Sequence, residues 1–287
     1  MDLTAFAQEV GAVGPVTITG LGTRGGPVAD VRTVGAPAGI DWIQPAEMTV
    51  SCGAGTMVAE LDDALLDHGQ CVAIPPSGTV GGALAVGHSG VRRLGYGPVR
   101  DALLQARYIS ASGDIVKAGG PTVKNVSGFD LCRLLVGSRG TLGFLGDVIL
   151  RTRPRATYEQ WFAGSVDPGE VLARLYRPTS VLWDGGTTWV LLEGDERDID
   201  NQVASLDVVP TAGPPALPTG GRWSVSPGAI RDLTGTFVAE VGVGIVHHAD
   251  PAPLRDVEPA VAALHRRIKA GFDPSGRLNP GVDVLDG

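Results

Sequence analysis

The residues best suited to chemistry in this 287-residue sequence are glycines, of which it holds 42. That is about twice the usual share of roughly 7%, and many fall in short runs. The first is Gly20-Leu21-Gly22-Thr23-Arg24-Gly25-Gly26, directly after the β-branched stretch Val16-Thr17-Ile18-Thr19. The second is Pro76-Ser77-Gly78-Thr79-Val80-Gly81-Gly82-Ala83-Leu84-Ala85, continued by Gly87-His88-Ser89-Gly90 and Tyr96 to Asp101. The third is Gly137-Ser138-Arg139-Gly140-Thr141-Leu142-Gly143. A glycine permits positive φ and lets a backbone approach a ligand with no Cβ in the way. Successive amides in such turns form a nest for an anion such as the diphosphate of a dinucleotide. The first run sits where a phosphate loop belongs, but Pro27 and the extended stretch Val28 to Val34 follow it. Without a helix there it is a poor Rossmann fingerprint, and alone it reads equally as a hairpin turn. The second run carries almost nothing bulky over about 20 residues, a length that in a compact domain marks a functional or disordered loop.

A second group of candidates is Glu240-Val241-Gly242-Val243-Gly244-Ile245-Val246-His247-His248. Read as one strand, alternation puts Glu240 and His248 on one face, and Val241 and His247 on the other. Glu240 and His247 would then meet only through a turn. Either histidine could act on a substrate as a base or polariser, and a structural role at a strand end is the alternative. Cys52, Cys71 and Cys132 lie far apart with no C-x-x-C spacing. They predict small buried apolar residues in a reducing cytosol, and neither an iron–sulfur cluster nor a zinc site. The formal net charge of -8 disfavours non-specific nucleic-acid binding. Arg92, Arg93, Arg222 and Arg231 are the cations considered for an anionic substrate. No apolar run of about 18 residues predicts a membrane span, and Met1-Asp2-Leu3 does not open a secretory signal.

The elements that must position these residues are partly legible. Leu3, Phe6, Ala7 and Val10 repeat at helical spacing within residues 1–14. Strands are predicted at Val16–Thr19 and Met48–Cys52, with a helix from Met57 to about His68 capped by Thr56 and closed by Gly69. Leu103–Ser110 and Ile115–Val116 read as a hairpin about Ser112-Gly113-Asp114. Leu131–Val136 reads as helix, Val148–Leu150 as strand, 207–220 as loop and 254–270 as helix. Residues 76–100 show little regular pattern. After Pro154 the glycine runs thin out and Trp161, Trp183, Trp189 and Trp223 appear, which marks a change of domain near Arg151 to Arg155.

The stretch Pro76 to Pro154 resembles the FAD-binding domain of the vanillyl-alcohol-oxidase superfamily, the p-cresol-methylhydroxylase type. Lys124-Asn125-Val126-Ser127-Gly128-Phe129-Asp130 is similar to the signature of its glycolate oxidase and D-lactate dehydrogenase branch. Phe272-Asp273-Pro274-x-Gly276-x-Leu278-Asn279-Pro280-Gly281 is similar to the closing motif of that family. Arg222-Trp223-Ser224-Val225-Ser226-Pro227 looks like the FAD-binding subunit rather than the larger catalytic one. The resemblance implies an α+β fold in which two subdomains hold FAD, formed by residues 1–154 and 265–287, with a small α+β cap at 155–264. It implies that Gly22, Thr23, Arg24, Gly25 and Gly26 bind the diphosphate. Pro76, Ser77, Gly78, Thr79, Gly81 and Gly82 would wrap the diphosphate and the flavin side. Gly87, His88, Ser89 and Gly90 would pass near the isoalloxazine. Gly137, Gly140, Thr141 and Gly143 would meet the ribityl and adenosine portion, and Asn279 would close over the cofactor.

The sequence also departs from that pattern. Many relatives attach FAD through a histidine in the first loop, where this chain has Thr23-Arg24-Gly25-Gly26-Pro27, so the expectation is noncovalent FAD. The metal-binding histidine pair and Asp-Gly-Asn motif of catalytic 2-hydroxyacid dehydrogenases do not occur, which leaves His247 and His248 as substitutes. The small cap and the lack of cluster ligands suit what the resemblance implies, a second flavoprotein and an iron–sulfur subunit as partners. The expected substrate is a small 2-hydroxy acid. The expected location is cytoplasmic, with membrane association only through partners. A subunit that only stabilises a catalytic partner is the alternative.

Overall fold

A computed structural model describes residues 1–121, 130–254 and 256–285. The chain divides into two compact units. The first comprises Met1–Ser89, Pro98–Arg155 and Asp256–Gly287, and the second comprises Gly90–Gly97 and Ala156–Arg255. The sequence reading puts 1–154 and 265–287 in one domain and 155–264 in another, and these units differ from it in two places. Residues 90–97 leave the first unit for the second, and the return to the first unit comes at Asp256 rather than 265.

The first unit is built on a six-stranded sheet, in the order Ile40–Gln44, Thr49–Gly53, Phe144–Pro154, Leu103–Ile109 and Ile115–Gly119, with Gln70–Val72 paired to the far end of Phe144–Pro154. Every residue from Phe144 to Leu150 is buried. Such continuous burial, with Asp147 paired to Arg107, suits a central strand covered on both faces. The helices Val58–Leu66 and Val80–Val86 drop Val58, Leu61, Leu65, Val80, Ala83 and Leu84 into the same core as Val50, Leu103 and Leu150. Cys52 and Cys132 belong to that core, and burial pushes their thiols up to about 12 and about 11. They stay protonated at neutral pH and behave as small apolar residues.

Two local features differ from the sequence reading. Thr56 does not cap the helix Val58–Leu66. Its hydroxyl instead bonds the amide and carbonyl of Gly39, at 2.9 and 3.2 Å. Residues 76–100 are more regular than their composition implies, with helices at Val80–Val86 and Arg93–Tyr96. The first is a helix despite Gly81 and Gly82 because Thr79 caps it through the Gly82 amide. It also lies too close to the strand end for a side chain at 81, whose Cβ would meet the carbonyl of Ala54 at 2.9 Å.

A small parallel pair, Val16–Thr19 beside Arg32–Gly35, completes the first unit. The C-terminal tail lies on its free side. Val16 donates to the Arg277 carbonyl, Asn279 donates to the Val16 carbonyl, and Val16 and Leu278 form a parallel bridge. Side chains fix this arrangement. Buried Arg277 donates to the carbonyls of Val10, Gly11, Val13, Gly14 and Ala111. Lys269 donates to Asp273 and to the carbonyls of Thr141 and Leu278. Asp273 also accepts from the amides of Arg277 and Leu278.

The second unit is a seven-stranded antiparallel sheet in the order Val209–Thr211, Tyr158–Gly164, Thr188–Gly194, Ser180–Trp183, Phe237–Glu240, Ile245–His248 and Gly221–Ser224. The helices Pro168–Arg174 and Glu196–Val203 each start at an aspartate cap, Asp167 and Asp195. They bring Val171 and Ile199 against Phe162, Val190, Leu192 and Ala239 on one face of the sheet. Trp161, Leu182, Leu191 and Val238 line the other.

Replacing Arg277 by Met leaves several buried carbonyls without a donor. This should destabilise the protein by about 3–5 kcal/mol, measured by urea unfolding. Burial alone would raise the Asp273 carboxyl, but the Lys269 ammonium and the Leu278 and Arg277 amides hold it below its ordinary 3.8. Its contribution to stability is therefore complete above pH about 4 and lost as pH falls through the lowered native value. Thermal unfolding against pH should show that acid-side loss in the wild type and not in Asp273→Asn.

Candidate cofactor site

The first loop leaves the strand Val16–Thr19 and turns through Gly22 and Gly25, at φ +69° and +102°. It forms one wall of a cavity of about 530 Å³ within the first unit. That size lies within the range of ligand pockets, roughly 300–1,000 Å³. A second wall comes from Ala54, Gly55, Thr79, Gly81, Gly82, Ala85, Val86 and His88, and a third from Leu135, Ser138, Arg139, Gly140, Gly143, Phe144 and Leu145. Asn279 and Val282 of the C-terminal tail also line it.

Of the expected cofactor residues, Gly22, Thr23, Arg24, Gly25, Gly26, Thr79, Gly81, Gly82, His88, Gly140, Gly143 and Asn279 line this cavity. The others do not line it, and several have a visible role elsewhere. Gly87 and Gly137 let two loops touch backbone to backbone, since a Cβ on Gly87 would reach the Gly137 amide at 3.0 Å. The Ser89 hydroxyl accepts from the Val99 amide at 3.1 Å. Thr141 bonds the Ser138 carbonyl and offers its own carbonyl to Lys269. Gly78, at φ +74°, leaves room for Arg24, whose Nη1 would stand 2.5 Å from a Cβ there. Pro76 and Ser77 precede it, and the Ser77 hydroxyl lies 3.3 Å from Arg24 Nη2. Gly90 belongs to the second unit. Of the signature stretch, Lys124 to Phe129 lies outside the described residues, while Asp130 caps the helix Leu131–Leu135 through the Arg133 amide.

The walls have separate jobs. At the start of the helix Val80–Val86, the amides of Val80, Gly81 and Gly82 already donate to Thr56, Ala54 and Thr79, at 2.9, 2.7 and 3.1 Å. They are not free for a phosphate. Among the described residues, the amides of Gly22 to Gly26 bond no other segment. Ideal Cβ atoms on Gly25 and Gly26 would meet nothing within 4 Å. These positions are bare toward open space, as a backbone cradle for an anion requires. The cavity holds no carboxylate among its lining residues, yet carries Arg24 and Arg139. In a chain of net charge -8, that is a local reversal of sign. Asn279 joins two walls, since its Oδ1 accepts from the Ile18 amide at 3.2 Å and its Nδ2 donates to the Arg139 carbonyl at 2.6 Å. The donor set and the bare walls fit a dinucleotide with a diphosphate.

The comparisons with known proteins decide which dinucleotide. Residues 8–119 match the FAD binding domain family, and residues 228–282 match the C-terminal domain of FAD linked oxidases. The two matched stretches lie one after the other along the chain. FAD is the cofactor those domains bind. The chain is 32% identical over 186 residues to glycolate oxidase subunit GlcE of Escherichia coli, covering 61% of this chain and 52% of that one. It is 42% identical over 109 residues to a D-lactate dehydrogenase of Archaeoglobus fulgidus, covering 36% of this chain and 24% of that one. The chain thus spans about half the length of the first of these curated relatives and a quarter of the other. An alkyldihydroxyacetonephosphate synthase structure shares the fold, with a TM-score of 0.68 over 97% of this chain and 73% of that one, at 15% identity. The mixed helix-and-sheet architecture is similar to that of this synthase structure.

The second candidate group, in the second unit, departs from the one-strand reading. Gly242 and Gly244, both at φ +79°, reverse the chain between Phe237–Glu240 and Ile245–His248. The hairpin changes which residues share a face. His247 pairs with Val238, so it stands on the side of Val238 and Glu240, and its Nε2 lies 2.9 Å from Glu240 Oε1. His248 faces the other side, stacked on Trp223 at 3.9 Å between ring centroids. Its Nδ1 accepts from the Asp250 amide and its Nε2 lies 2.9 Å from the Thr234 carbonyl, so both nitrogens are used and Nε2 carries the proton. Glu240 is 1% exposed and its Oε2 is buried with no partner. Sequence reasoning named Glu240 but could not pair it without the turn. Of the cations considered for a substrate, Arg92 is paired with Glu159 and Glu193, and Arg231 with Asp167.

Asn279→Asp keeps the acceptor for the Ile18 amide but sets a carboxylate oxygen against the Arg139 carbonyl. The wall joint should open, lowering FAD affinity by about tenfold or more and the melting temperature by several degrees. Flavin fluorescence titration and thermal unfolding check both.

Proposed function

We propose that this chain is the FAD-binding subunit of a 2-hydroxyacid oxidoreductase acting on glycolate- or D-lactate-type substrates. It holds FAD without a covalent bond and passes electrons to a partner subunit or acceptor. The observation that carries the reading is the cavity of the first unit, with bare glycine walls, an arginine that forms no ion pair among the described residues and no carboxylate among its lining residues. The curated relatives named glycolate oxidase subunit and D-lactate dehydrogenase supply the substrate class. A second flavoprotein, an iron–sulfur subunit, cytoplasmic residence and membrane association through partners belong to the same proposal. No helix among the described residues is long and apolar enough to cross a membrane.

Bound FAD would supply the acceptor for a hydride from the carbon that bears the hydroxyl. The chain must then supply binding, orientation and a place for the hydroxyl proton. His248 has no free nitrogen for that task. His247 is better disposed. The Glu240 carboxylate at its Nε2 orients the ring, and Nδ1 makes no hydrogen bond among the described residues. A base held by a buried carboxylate is the arrangement that fixes a tautomer and stabilises the imidazolium that forms. His247 is the base in this reading and Glu240 its positioning residue.

A second reading is an assembly subunit that binds FAD or its shape and stabilises a catalytic partner. The absence of the Asp-Gly-Asn motif and the structural role of His248 favour it.

The purified chain should be yellow, release its flavin into the supernatant on acid precipitation, and bleach anaerobically with glycolate or D-lactate. Flavin that precipitates with the chain overturns the noncovalent assignment. Bound FAD that neither acid reduces, with or without added partner subunits, leaves the assembly reading. His247→Ala should slow reduction by about 10²–10⁴-fold at unchanged FAD content. Glu240→Gln should lower the rate less and move its pH profile.

A further inference from the structure

The helix Pro259–Phe272 turns the wrong residues to water. Ile268 and Phe272 rest against the core of the first unit, and no residue of the helix is buried. Its exposed residues include Ala260, Val261, Ala263, Leu264, Ala270 and Gly271, and the only charged ones among them are Arg266 and Arg267. Val261 and Leu264 are 41% and 45% exposed. A surface helix normally keeps its apolar residues for the core and its polar ones for solvent. An apolar face left in water marks a binding surface.

The helix Val58–Leu66 of the same unit carries the matching face. Val58, Leu61 and Leu65 fill that same core. Ala59, Glu60, Asp63 and Leu66 point outward, and exposed Asp67 follows directly. Leu66 is 48% exposed. Among the described residues no ion pair reaches Arg266, Arg267, Glu60, Asp63 or Asp67. Other surface arginines, such as Arg133, Arg174 and Arg231, each hold a carboxylate. One core therefore presents a basic apolar face and an acidic apolar face, and the chain itself pairs neither.

We propose that a second copy of this chain covers both faces. The helix Pro259–Phe272 of one copy lies on the helix Val58–Leu66 of the other, in a closed two-fold dimer. Val261 and Leu264 meet Leu66, while Arg266 and Arg267 meet Glu60, Asp63 and Asp67. The net charge of -8 makes two copies repel on average, so the arginine-bearing helix is where attraction can act. Exposed ion pairs contribute little singly. Apolar burial gives the contact its affinity, and the charges decide which faces meet. The two-fold arrangement follows from size. A helix of 14 residues is about 21 Å long, and one such contact falls short of the roughly 800 Å² per partner of a stable interface. A two-fold axis uses the contact twice, because each copy offers both helices from one rigid core.

Sedimentation equilibrium of the full-length protein, with and without FAD, tests this. Wild type should dimerise with a dissociation constant of about micromolar order, weakening as salt is raised. Arg266→Glu with Arg267→Glu, and separately Glu60→Lys with Asp63→Lys, should each weaken the dimer about tenfold or more. Mixed in equal amounts, the two variants should recover wild-type affinity, since a basic face then meets an acidic one in both contacts. That recovery also shows that both are folded. Should a variant not fold, hydroxyl-radical footprinting of wild type answers alone, because Leu66, Val261 and Leu264 should become protected together as concentration rises. A wild type that stays monomeric at about 0.1 mM overturns the proposal and leaves the apolar face to a different chain. A mixture no tighter than its components, or no joint protection, overturns the pairing of these two helices. Growth beyond a dimer overturns the closed arrangement.

Discussion

The site depends on a joint between the two ends of the chain. The tail around Leu278 lies beside Val16, and Asn279 then reaches from the Ile18 amide to the Arg139 carbonyl. Those residues belong to different walls of the cavity, so the cofactor site is closed only when residues more than two hundred positions apart have met. Arg277 secures the joint by satisfying carbonyls that would otherwise be buried bare, and the Lys269–Asp273 pair fixes the turn that leads into it. Burial without partners would make these polar groups a liability. Fully bonded, they lock one arrangement.

Glycine does two different things here, and the distinction explains how the walls divide. Gly25 and Gly26 face space and leave it for a ligand. Gly81 and Gly87 face other protein backbone and let segments approach where a side chain would not fit. From sequence alone both kinds look the same. For that reason the glycine runs located the site as a region, while only some of their members line the cavity.

Other parts were legible for plain reasons. The strand Val16–Thr19 is β-branched and ends at a glycine turn, and the hairpin about Gly113 has alternating apolar residues and a turn signal. The helix Val80–Val86 was hidden because two glycines at its start suppress helical propensity, and the compensation, a Thr79 cap and close packing on Ala54, is tertiary. Glu240 and His247 illustrate a parity problem. One turn through Gly242 and Gly244 changes which residues share a face, and alternation cannot foresee where a strand breaks. The carboxylate-free wall around Arg24 was invisible, since it depends on what distant segments fail to bring.

The excursion of Gly90–Gly97 has a consequence for how the molecule can be divided. The chain leaves the first unit after Ser89, returns at Pro98, leaves again after Arg155 and returns at Asp256. Within the second unit, Arg92 and Tyr96 are tied to Glu193, so that short segment is integral to it. No terminal truncation can therefore isolate either unit. A minimal flavin-binding protein would have to be spliced twice, joining 89 to 98 and 155 to 256. Any insertion or fusion that spares both cores belongs at the termini or in surface turns rather than at an apparent domain border.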